Sequence, residues 1–423
     1  MNIQFLLTGN EVMSGDVIDT NSVIIARMLR DMGFEVIRKT AVPDNLQMLT
    51  DELKDLSRRA DILIVNGGLG PTDDDLTAEA LAAAAGVGQT YHTEALAHLE
   101  NWCRKRGIQL NPANRKQAFL PEGCAIIPNP VGTAVGFAIT LNRCRIFCTP
   151  GVPRELEVML KESIRPELLA LLPEGGGTKT IRMKTFGYGE SALQQKIKDL
   201  FPDWPRELEI GFRASMPVLE VKITARTPKA HDCLTEWEQK LRGLISAHIF
   251  GKEDETLAEC TINALRSKGY KITAAESCTG GQISAALTQV PGASDVFEAG
   301  FVVYSNRMKT KILGVKPDTL NTYGAVSSQT VSEMLAGALR ISGADFGSAV
   351  SGVAGPGGGT AEKPVGMVWT AWGTAGNILT KCFMIPFERR FFQIYTTHLM
   401  LDLVRRLVFQ IDEKPNYFNY EKK

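Results

Sequence analysis

The chain has 423 residues, of which 44% are hydrophobic and 22% are charged, as is ordinary for a globular protein. Its 47 basic and 47 acidic side chains give a net charge of zero, which argues against a general binder of nucleic acid or of anionic membranes. No apolar run reaches the length of a membrane span, the start lacks a signal-peptide pattern, and the eight cysteines include no CxxC pair. We expect about two to four domains in a cytoplasmic protein with reduced thiols.

The first part of the chain alternates strand patterns with helical patterns. Repeated βα units predict a parallel sheet that is covered by helices on both faces. Strands are predicted at residues 3–7, 36–41, 62–65 and 145–148, and helices at 22–32, 46–58, 76–85 and 153–171. We predict an N-terminal domain over residues 1–172.

Two boundaries divide the rest of the chain. The glycine-rich run 173–177 predicts a linker, and the polar run 251–255 predicts a second boundary. Between them an α+β module is predicted over residues 178–250, with strands at 180–185 and 219–227 and helices at 192–200 and 233–245.

The last part of the chain returns to an α/β pattern. Strands are predicted at residues 272–275, 301–304, 347–350, 367–374 and 377–385, with helices at 282–289, 329–341 and up to about Val408. We predict a C-terminal domain over residues 256–412. The fold class is therefore α/β: two three-layer domains with mostly parallel sheets, joined by a small α+β module.

Glycines and carboxylates follow the predicted strand at 62–65. A glycine loop after a parallel strand lets backbone amides approach a phosphate, but carboxylates repel it unless a divalent cation lies between them. Other polar residues after strands, among them Glu11 and Asp19, are expected at the same crevice. In the alternative interpretation, Asp73, Asp74 and Asp75 cap the helix that begins near Leu76.

A turn of small polar residues and glycines, 277–281, joins the predicted strand at 272–275 to a helix. Ser277 would present its hydroxyl near a helix N-terminus, where backbone amides can face a developing negative charge. A neutral Lys309 folded back beside it can serve as the base. In the alternatives, Ser277 is an N-cap, Lys309 a solvated side chain and Tyr304 a core aromatic residue, while Cys278 is a rival nucleophile.

The N-terminal segments 8–11, 19–21, 67–77, 129–133 and 149–153 resemble the molybdopterin-binding fold of CinA proteins. The resemblance implies an ADP-ribose pyrophosphatase that depends on a divalent cation. It implies Asp75 as catalytic residue, Glu11, Asp74 and Asp75 as metal ligands, and substrate contacts from Gly67, Gly68, Gly70 and Thr72. The middle module, from residues 185–187 and 189–191, resembles the KH-like domain of the same family. Because residues 187–189 lack the GXXG loop of a KH clamp, we predict a spacer or dimer role there and no binding of nucleic acid.

Most of residues 256–410 resemble the CinA C-terminal domain, which is the nicotinamide-nucleotide amidohydrolase family. The resemblance is carried by residues 275–281, 300–306, 309, 313–315, 324–327, 352–358 and 363–366. It implies hydrolysis of nicotinamide mononucleotide to nicotinic acid mononucleotide and ammonia, with Ser277 as nucleophile, Lys309 as base and Tyr304 assisting, and without a cofactor. Amides around residues 279–281 are expected to stabilise the oxyanion. The expected substrate contacts are Thr279, Gly280, Gly281, Asn306, Gly355, Gly357 and Gly358.

One departure from the family pattern precedes the last helix. The family often has Gly-Asp-Arg there and an arginine four residues later, whereas this chain has Phe387, Glu388, Arg389 and then Gln393. The resemblance also implies a homodimer. The alternative function is a nucleotide-binding sensor without catalysis, or a competence-related protein that binds a partner.

Overall fold

The structure, a computed structural model, describes residues 1–171 and 177–422. The predicted linker at 173–177 therefore falls outside the described residues, except for Gly177. Contacts divide the chain into two units, one made of Met1–Lys179 and Arg226–Pro228 and the other of Thr180–Ala225 and Lys229–Lys423. None of the helices in the described residues is long and apolar enough to cross a membrane.

Buried strands and amphipathic helices build the N-terminal domain. Its strands are β1 (Ile3–Thr8), β2 (Val36–Val42), β3 (Ile62–Asn66), β4 (Gln89–Tyr91), β5 (Phe119–Pro121), β6 (Ala125–Ile127), β7 (Gly136–Leu141) and β8 (Cys144–Thr149). Its helices are α1 (Asn10–Ser14), α2 (Asn21–Asp31), α3 (Leu46–Arg59), α4 (Thr77–Ala85), α5 (Thr93–Lys105), α6 (Pro153–Met159) and α7 (Arg165–Leu169).

The main sheet of this domain has the strand order β2-β1-β3-β8-β7-β6. The first four strands are parallel, and β7 and β6 are antiparallel additions at one edge. Successive residues of β3 face opposite sides, so Leu63 and Val65 enter one apolar cluster while Ile62 and Ile64 enter another. The predicted three-layer α/β architecture is confirmed.

The helix predicted at 153–171 is shorter and less regular than expected. A π-helical turn, Leu160–Ile164, separates α6 from α7, and α7 ends at Leu169. Pro166 explains the irregularity, because it has no N–H to donate to a carbonyl of the preceding turn and its ring crowds that turn.

The middle module is α+β, as predicted. It comprises β9 (Lys179–Phe186), α8 (Glu190–Leu200), β10 (Leu208–Ser215), β11 (Val218–Ala225), α9 (Pro228–Ile245) and β12 (Ile249–Lys252). The sheet order is β10-β11-β9-β12, and β10 pairs antiparallel with β11 in a hairpin. The prediction missed β10, although Leu208, Ile210 and Phe212 alternate with polar or small residues as in a half-buried strand.

The C-terminal domain comprises helices α10 (Leu257–Ser267), α11 (Gln282–Thr288), α12 (Asn306–Leu313), α13 (Pro317–Tyr323), α14 (Ser328–Ser342) and α15 (Arg389–Phe409). Its strands are β13 (Ile272–Glu276), β14 (Phe297–Val302), β15 (Phe346–Gly352), β16 (Met367–Thr374) and β17 (Asn377–Met384), in the order β14-β13-β15-β16-β17. The first three are parallel and the last two antiparallel. The strand predicted at 301–304 was misplaced. The observed strand β14 begins four residues earlier, at Phe297, and ends at Val302, which makes its last pairing with β13.

A buried charged cluster joins α15 to the middle module. Asp402 accepts hydrogen bonds from Arg405 (2.7 Å), Arg406 (2.6 Å) and the Tyr417 hydroxyl (2.8 Å). Arg406 also donates to the Ala247 carbonyl of the module (2.6 Å). One carboxylate thus bonds to two buried guanidinium groups. Replacing Asp402 would leave both without their counter-charge, which is strongly destabilising.

His248 lies beside this cluster and is 1% exposed. Its ring packs against Tyr188 at a centroid distance of 4.2 Å. Burial, and next the charge of Arg406, lower the pKa of His248 to about 4. The imidazole is therefore neutral in the folded protein at neutral pH.

Candidate functional site

Strand β13 ends at a turn that presents Ser277. Because β13 lies between the parallel strands β14 and β15, its carboxyl end opens at the edge of the sheet where α/β proteins bind ligands. The Ser277 amide donates to the Val350 carbonyl of β15 (3.1 Å), which extends the strand pairing by one residue. We call residues 277–281 the nucleophile turn. Ser277 is 8% exposed, so its hydroxyl is held largely out of bulk water.

Lys309 lies on α12 and reaches the nucleophile turn. The Ser305 side chain accepts a hydrogen bond from the Met308 amide (3.3 Å) and so caps the start of this helix. Lys309 is 1% exposed, and its Nζ lies 2.9 Å from Ser277 Oγ. The structure thus brings the predicted nucleophile and the predicted base within hydrogen-bond distance, and Lys309 is not a solvated side chain.

Two carbonyl groups decide how the Lys309 amine is oriented. Nζ donates to the carbonyls of Val303 (3.0 Å) and Tyr304 (3.1 Å). Burial lowers the pKa of Lys309, because the ammonium form loses its hydration. A neutral amine has two N–H groups and one lone pair, and carbonyl oxygens can only accept, so they take both N–H groups. In the neutral form of Lys309, the lone pair would then face Ser277 Oγ, as a general base requires.

Glu276, the last residue of β13, is fully buried and holds the nucleophile turn. Its Oε2 accepts from Thr279 Oγ1 (2.7 Å) and from the amides of Gly281 (3.1 Å) and Ile283 (3.0 Å). Its Oε1 accepts from the Ser284 amide (2.8 Å) and hydroxyl (2.6 Å). A carboxylate is favourable at this place, since the N-terminus of α11 carries partial positive charge. The N-cap residue of α11 is Gly281, and the side chain that accepts from the first amides of the helix is that of Glu276, not that of Ser277.

These contacts change which amides are open to an oxyanion. The Gly281 amide is taken by Glu276, and the Gly280 amide donates to the Ser277 carbonyl (3.2 Å). The expectation that these two glycine amides bind the oxyanion is therefore wrong. Within residues 1–171 and 177–422, the amides of Cys278 and Thr279 donate to no carbonyl or carboxylate. They directly follow Ser277, the predicted nucleophile, where oxyanion-hole amides are commonly found.

Cys278 does not compete with Ser277 as a nucleophile. Burial raises the pKa of the Cys278 thiol to about 12. The reactive form of cysteine is the thiolate, which is scarce at neutral pH when the pKa is that high. The sequence alone left this cysteine open as a rival, and its burial removes it.

Tyr304 contributes its backbone carbonyl to the site, whereas its side chain lies at the rim. The side chain is 62% exposed, and its hydroxyl accepts a hydrogen bond from Arg389 (3.1 Å). Arg389 also donates to the Gly355 carbonyl (3.0 Å). The sequence placed Tyr304 next to the Ser277–Lys309 pair, but the structure directs its hydroxyl to Arg389, at the start of α15.

Gln393 stands where the family often has an arginine, and it contacts the nucleophile turn. Its Nε2 donates to the Cys278 carbonyl (2.8 Å), and its Oε1 accepts from Gln282 (3.3 Å). This amide can both donate and accept, which a guanidinium cannot. Gln393 therefore ties α15 to the nucleophile turn.

The loop between β15 and β16 brings the predicted glycines near this site. Gly355 and Gly358 have φ of 77° and 82°, in the region that favours glycine. A Cβ added at Gly357 would meet nothing within 4 Å, so the backbone there is accessible to a ligand. Asn306 is the exposed first residue of α12. Arg389 joins this loop to the rim of the Ser277 site through Gly355.

A second candidate site lies in the N-terminal domain, where the carboxyl ends of β1, β3 and β8 border a cavity of about 480 Å³. The cavity is distinct from the Ser277 site and belongs to the other unit. The predicted residues that line it are Glu11, Asp19, Gly67, Gly68, Gly70, Thr72, Asp74 and Asp75.

Asp75 closes the glycine loop onto itself. Its Oδ2 accepts hydrogen bonds from the Thr72 amide (2.9 Å) and hydroxyl (2.5 Å). A Cβ added at Gly70 would lie 2.4 Å from that oxygen, so a larger residue would displace the carboxylate. The helix α4 begins after Leu76 without a side-chain cap, so the acidic run does not cap it and that alternative is wrong.

Asp44 joins the carboxylates of this cavity and was not predicted. It accepts hydrogen bonds from Thr8 Oγ1 (2.6 Å) and from the Asn10 amide (2.9 Å). Asp44 follows β2, a parallel strand of the same sheet. Its position after that strand is the signal that could have identified it.

The donors at the cavity are carboxylate oxygens, which suit a hard divalent cation. Among the described residues, no three His, Cys, Asp or Glu side chains are close enough to form a ready-made metal cluster. Mg²⁺ commonly uses one or two carboxylates and completes its shell with water and substrate phosphates. These residues therefore fit a cation that binds together with a phosphate-bearing substrate.

The architecture and the geometry together define a three-part α/β protein whose last domain brings a serine and a buried lysine within hydrogen-bond distance. Residues 4–170 match the family model of a probable molybdopterin binding domain, residues 179–251 that of the damage-inducible protein CinA KH domain, and residues 254–408 that of the CinA C-terminal domain. The chain belongs to the CinA family.

Several relatives match almost the whole chain. A CinA-like protein of Colwellia psychrerythraea is 49% identical over 418 residues, which cover 98% of this chain and 97% of the relative. A protein of Shewanella oneidensis named nicotinamide-nucleotide amidohydrolase PncC is 40% identical over 390 residues and 92% of each chain. The crystal structure of a competence/damage inducible protein CihA from Agrobacterium tumefaciens is 43% identical, covers 36% of this chain and 93% of its own, and gives a TM-score of 0.35.

Proposed function

We propose that the C-terminal domain hydrolyses the carboxamide of nicotinamide mononucleotide to nicotinic acid mononucleotide and ammonia. The observation that carries this proposal is the 2.9 Å approach of a buried Lys309 to Ser277. The name of the Shewanella oneidensis relative supplies the substrate, which the geometry alone does not specify.

In the acylation step, Ser277 Oγ attacks the amide carbon while Lys309 Nζ takes the hydroxyl proton. The carbonyl oxygen becomes an oxyanion, which the amides of Cys278 and Thr279 can bind. The C–N bond then breaks, Lys309 returns the proton to the leaving nitrogen, and ammonia departs. An acyl-serine ester remains.

In the deacylation step, a water molecule attacks the ester and Lys309 takes its proton. The ester bond breaks, the proton passes to Ser277 Oγ, and the nicotinic acid product leaves. The nucleophile and the base are side chains of this chain, so the proposed reaction includes no cofactor.

The nucleotide phosphate is assigned to the glycine loop between β15 and β16. The accessible backbone at Gly357 and the guanidinium of Arg389, which donates to Gly355, support this assignment. Gln393 is uncharged and stands where the family often has an arginine. Because its amide already bonds to Cys278 and Gln282, we do not assign it to the phosphate. Thr279 and Asn306 remain proposed substrate contacts.

The test is release of ammonia from nicotinamide mononucleotide by the purified protein. Ser277→Ala is expected to abolish release. Ser342→Ala is expected to keep it, because Ser342, the last residue of α14, bonds only to the Ala338 carbonyl and the Ala344 amide. A folded Ser277→Ala variant with full activity would refute the assignment.

For the N-terminal domain we propose hydrolysis of ADP-ribose at its pyrophosphate with a divalent cation. The convergence of glycine loop and carboxylates on one cavity favours this second function. Glu11, Asp74 and Asp75 would hold the cation, which would neutralise the phosphates. In this assignment Gly67, Gly68, Gly70 and Thr72 contact the substrate.

The assay is cleavage of ADP-ribose with and without a chelator. Asp75→Asn is expected to lose metal-dependent cleavage, while Asp55→Asn, which removes only a surface pair with Arg59, is expected to retain it. Unchanged cleavage by Asp75→Asn would count against the proposal. Tight nucleotide binding by either domain without turnover under any metal would favour the alternative of a sensor, and a homodimer stays a prediction that sedimentation can test.

A further inference from the structure

Glu276 stands next to the proposed nucleophile, yet the reaction described above gives it no step. It is the last residue of β13 and is fully buried. All five of its hydrogen-bond partners are donors, so it binds as a carboxylate. A buried charge next to a nucleophile needs an explanation beyond packing.

We propose that Glu276 is a positioning residue for the Ser277–Lys309 pair, an inference that rests on the proposed function. Its carboxylate fixes the nucleophile turn, so that Ser277 Oγ stays at Lys309 Nζ. By taking the Gly281 amide into its own network, it also leaves the amides of Cys278 and Thr279 as the oxyanion donors.

The shape of the turn shows why a side chain must hold it. Gly280 and Gly281 have φ of 64° and 100°, a backbone conformation that regular hydrogen bonding does not stabilise. Glu276 bonds to Thr279 inside the turn and to Ile283 and Ser284 in the first turn of α11. One group therefore connects the strand, the turn and the helix on both sides of Ser277.

The same domain contains a matched carboxylate away from this turn. Glu333 on α14 accepts hydrogen bonds from the Lys316 amide (2.8 Å) and the Thr319 hydroxyl (2.8 Å), and so stabilises the start of α13. Neither α13 nor its cap carries a residue of the proposed site. Glu333→Gln therefore measures the cost of weakening a helix start by the same substitution, without touching the nucleophile turn.

The experiment compares Glu276→Gln with Glu333→Gln. Glutamine has one acceptor oxygen, and its NH2 group would face donors that now bind a carboxylate. A shift of about 1 Å at a reacting atom costs about 100-fold in rate. We expect kcat for nicotinamide mononucleotide to fall about 100-fold in Glu276→Gln with KM changed less than about threefold, and to stay within about twofold in Glu333→Gln.

Two further measurements separate positioning from loss of stability. Melting temperatures show whether both variants are folded at the assay temperature. The rate should still rise with pH in Glu276→Gln, because Lys309 remains the base, but it should reach a lower plateau. A folded Glu276→Gln with normal kcat, or with no rise of the rate with pH, would overturn the positioning role.

Labelling with a fluorophosphonate, which reacts with activated serines, separates this inference from the choice of substrate. One outcome is that nicotinamide mononucleotide is not hydrolysed, that Ser277 of the unmodified protein is labelled, and that labelling is about 100-fold slower in Glu276→Gln. In that case the positioning role stands and the proposed substrate is wrong. If the unmodified protein is not labelled at Ser277, both fall. If Glu276→Gln does not fold, the Ser284→Ala variant tests the role of Glu276 instead, since it removes one 2.6 Å hydrogen bond to the carboxylate. Labelling of Ser277 that is about tenfold slower in Ser284→Ala supports the positioning role, and an unchanged labelling rate overturns it.

Discussion

Replacing Lys309 with methionine removes the proposed base and keeps an unbranched side chain of similar length. General base catalysis contributes about 10²- to 10⁴-fold to a rate, or about 2.7 to 5.4 kcal/mol of transition-state stabilisation. The hydrogen bonds to Val303 and Tyr304 are lost as well, at about 1 kcal/mol each. That loss is partly offset, because the buried amine is itself poorly solvated, as its lowered pKa indicates. We therefore expect kcat to fall at least about 100-fold and the free energy of unfolding to change by less than about 2 kcal/mol.

The assay is ammonia release as a function of pH, with denaturation as the control for folding. Burial lowers the pKa of Lys309 below 10.5, so its neutral fraction, and with it the rate, rises with pH and is half-maximal below pH 10.5. Lys309→Met should lack this rise. A folded Lys309→Met that keeps more than about a tenth of kcat, or that shows the same pH dependence, would refute the reasoning.

Three further predictions concern stability and the second site. Asp402→Asn leaves Arg405 and Arg406 without their carboxylate and should lower the free energy of unfolding by about 3 to 5 kcal/mol, as measured by urea denaturation. A loss of less than about 1 kcal/mol would contradict the importance of this cluster. The pKa of His248 is about 4 when folded and 6.5 when unfolded, so the stability it contributes is complete above pH 6.5 and is lost as pH falls toward 4. Stability should thus decline by up to about 3 kcal/mol over that window, and the decline should shrink in His248→Phe; an equal decline would contradict the assignment. Gly70→Ala should displace Asp75 and lower cation affinity in calorimetry with little change in melting temperature, and unchanged affinity would argue against Asp75 as a ligand.

The sequence predicts those parts of the sites that depend on where strands end. The turn after β13 and the glycine loop after β3 follow buried apolar strands, and parallel strands deliver such segments to one edge of a sheet. The sequence separation of Ser277 and Lys309 does not show that α12 folds back onto the nucleophile turn. Their approach was predicted from the chemistry of a serine–lysine pair and from the family resemblance.

What the sequence could not show depends on side chains that act through tertiary contacts. In the sequence, nothing distinguishes Glu276 from other strand residues, and its role is visible only from the five donors that contact it. In the same way, Asp44 is one of many loop carboxylates, and the pairing of β2 with β1 is what places it at the cavity. The strand β10 is a different case, because Leu208, Ile210 and Phe212 alternate as in a half-buried strand and the sequence could have shown it. Arg389 is visible in the sequence, but its bridge from Tyr304 to Gly355 requires three segments to be assembled.

The central claim is that Ser277, activated by Lys309, is the nucleophile of an amidohydrolase that acts on nicotinamide mononucleotide. The most direct measurement follows ammonia and nicotinic acid mononucleotide in the same reaction, for the unmodified protein and for Ser277→Ala, with and without a chelator. We predict equal amounts of both products from the unmodified protein, no effect of the chelator, and neither product from a folded Ser277→Ala. Undiminished release of ammonia by Ser277→Ala, or the absence of both products from the unmodified protein, would contradict the claim.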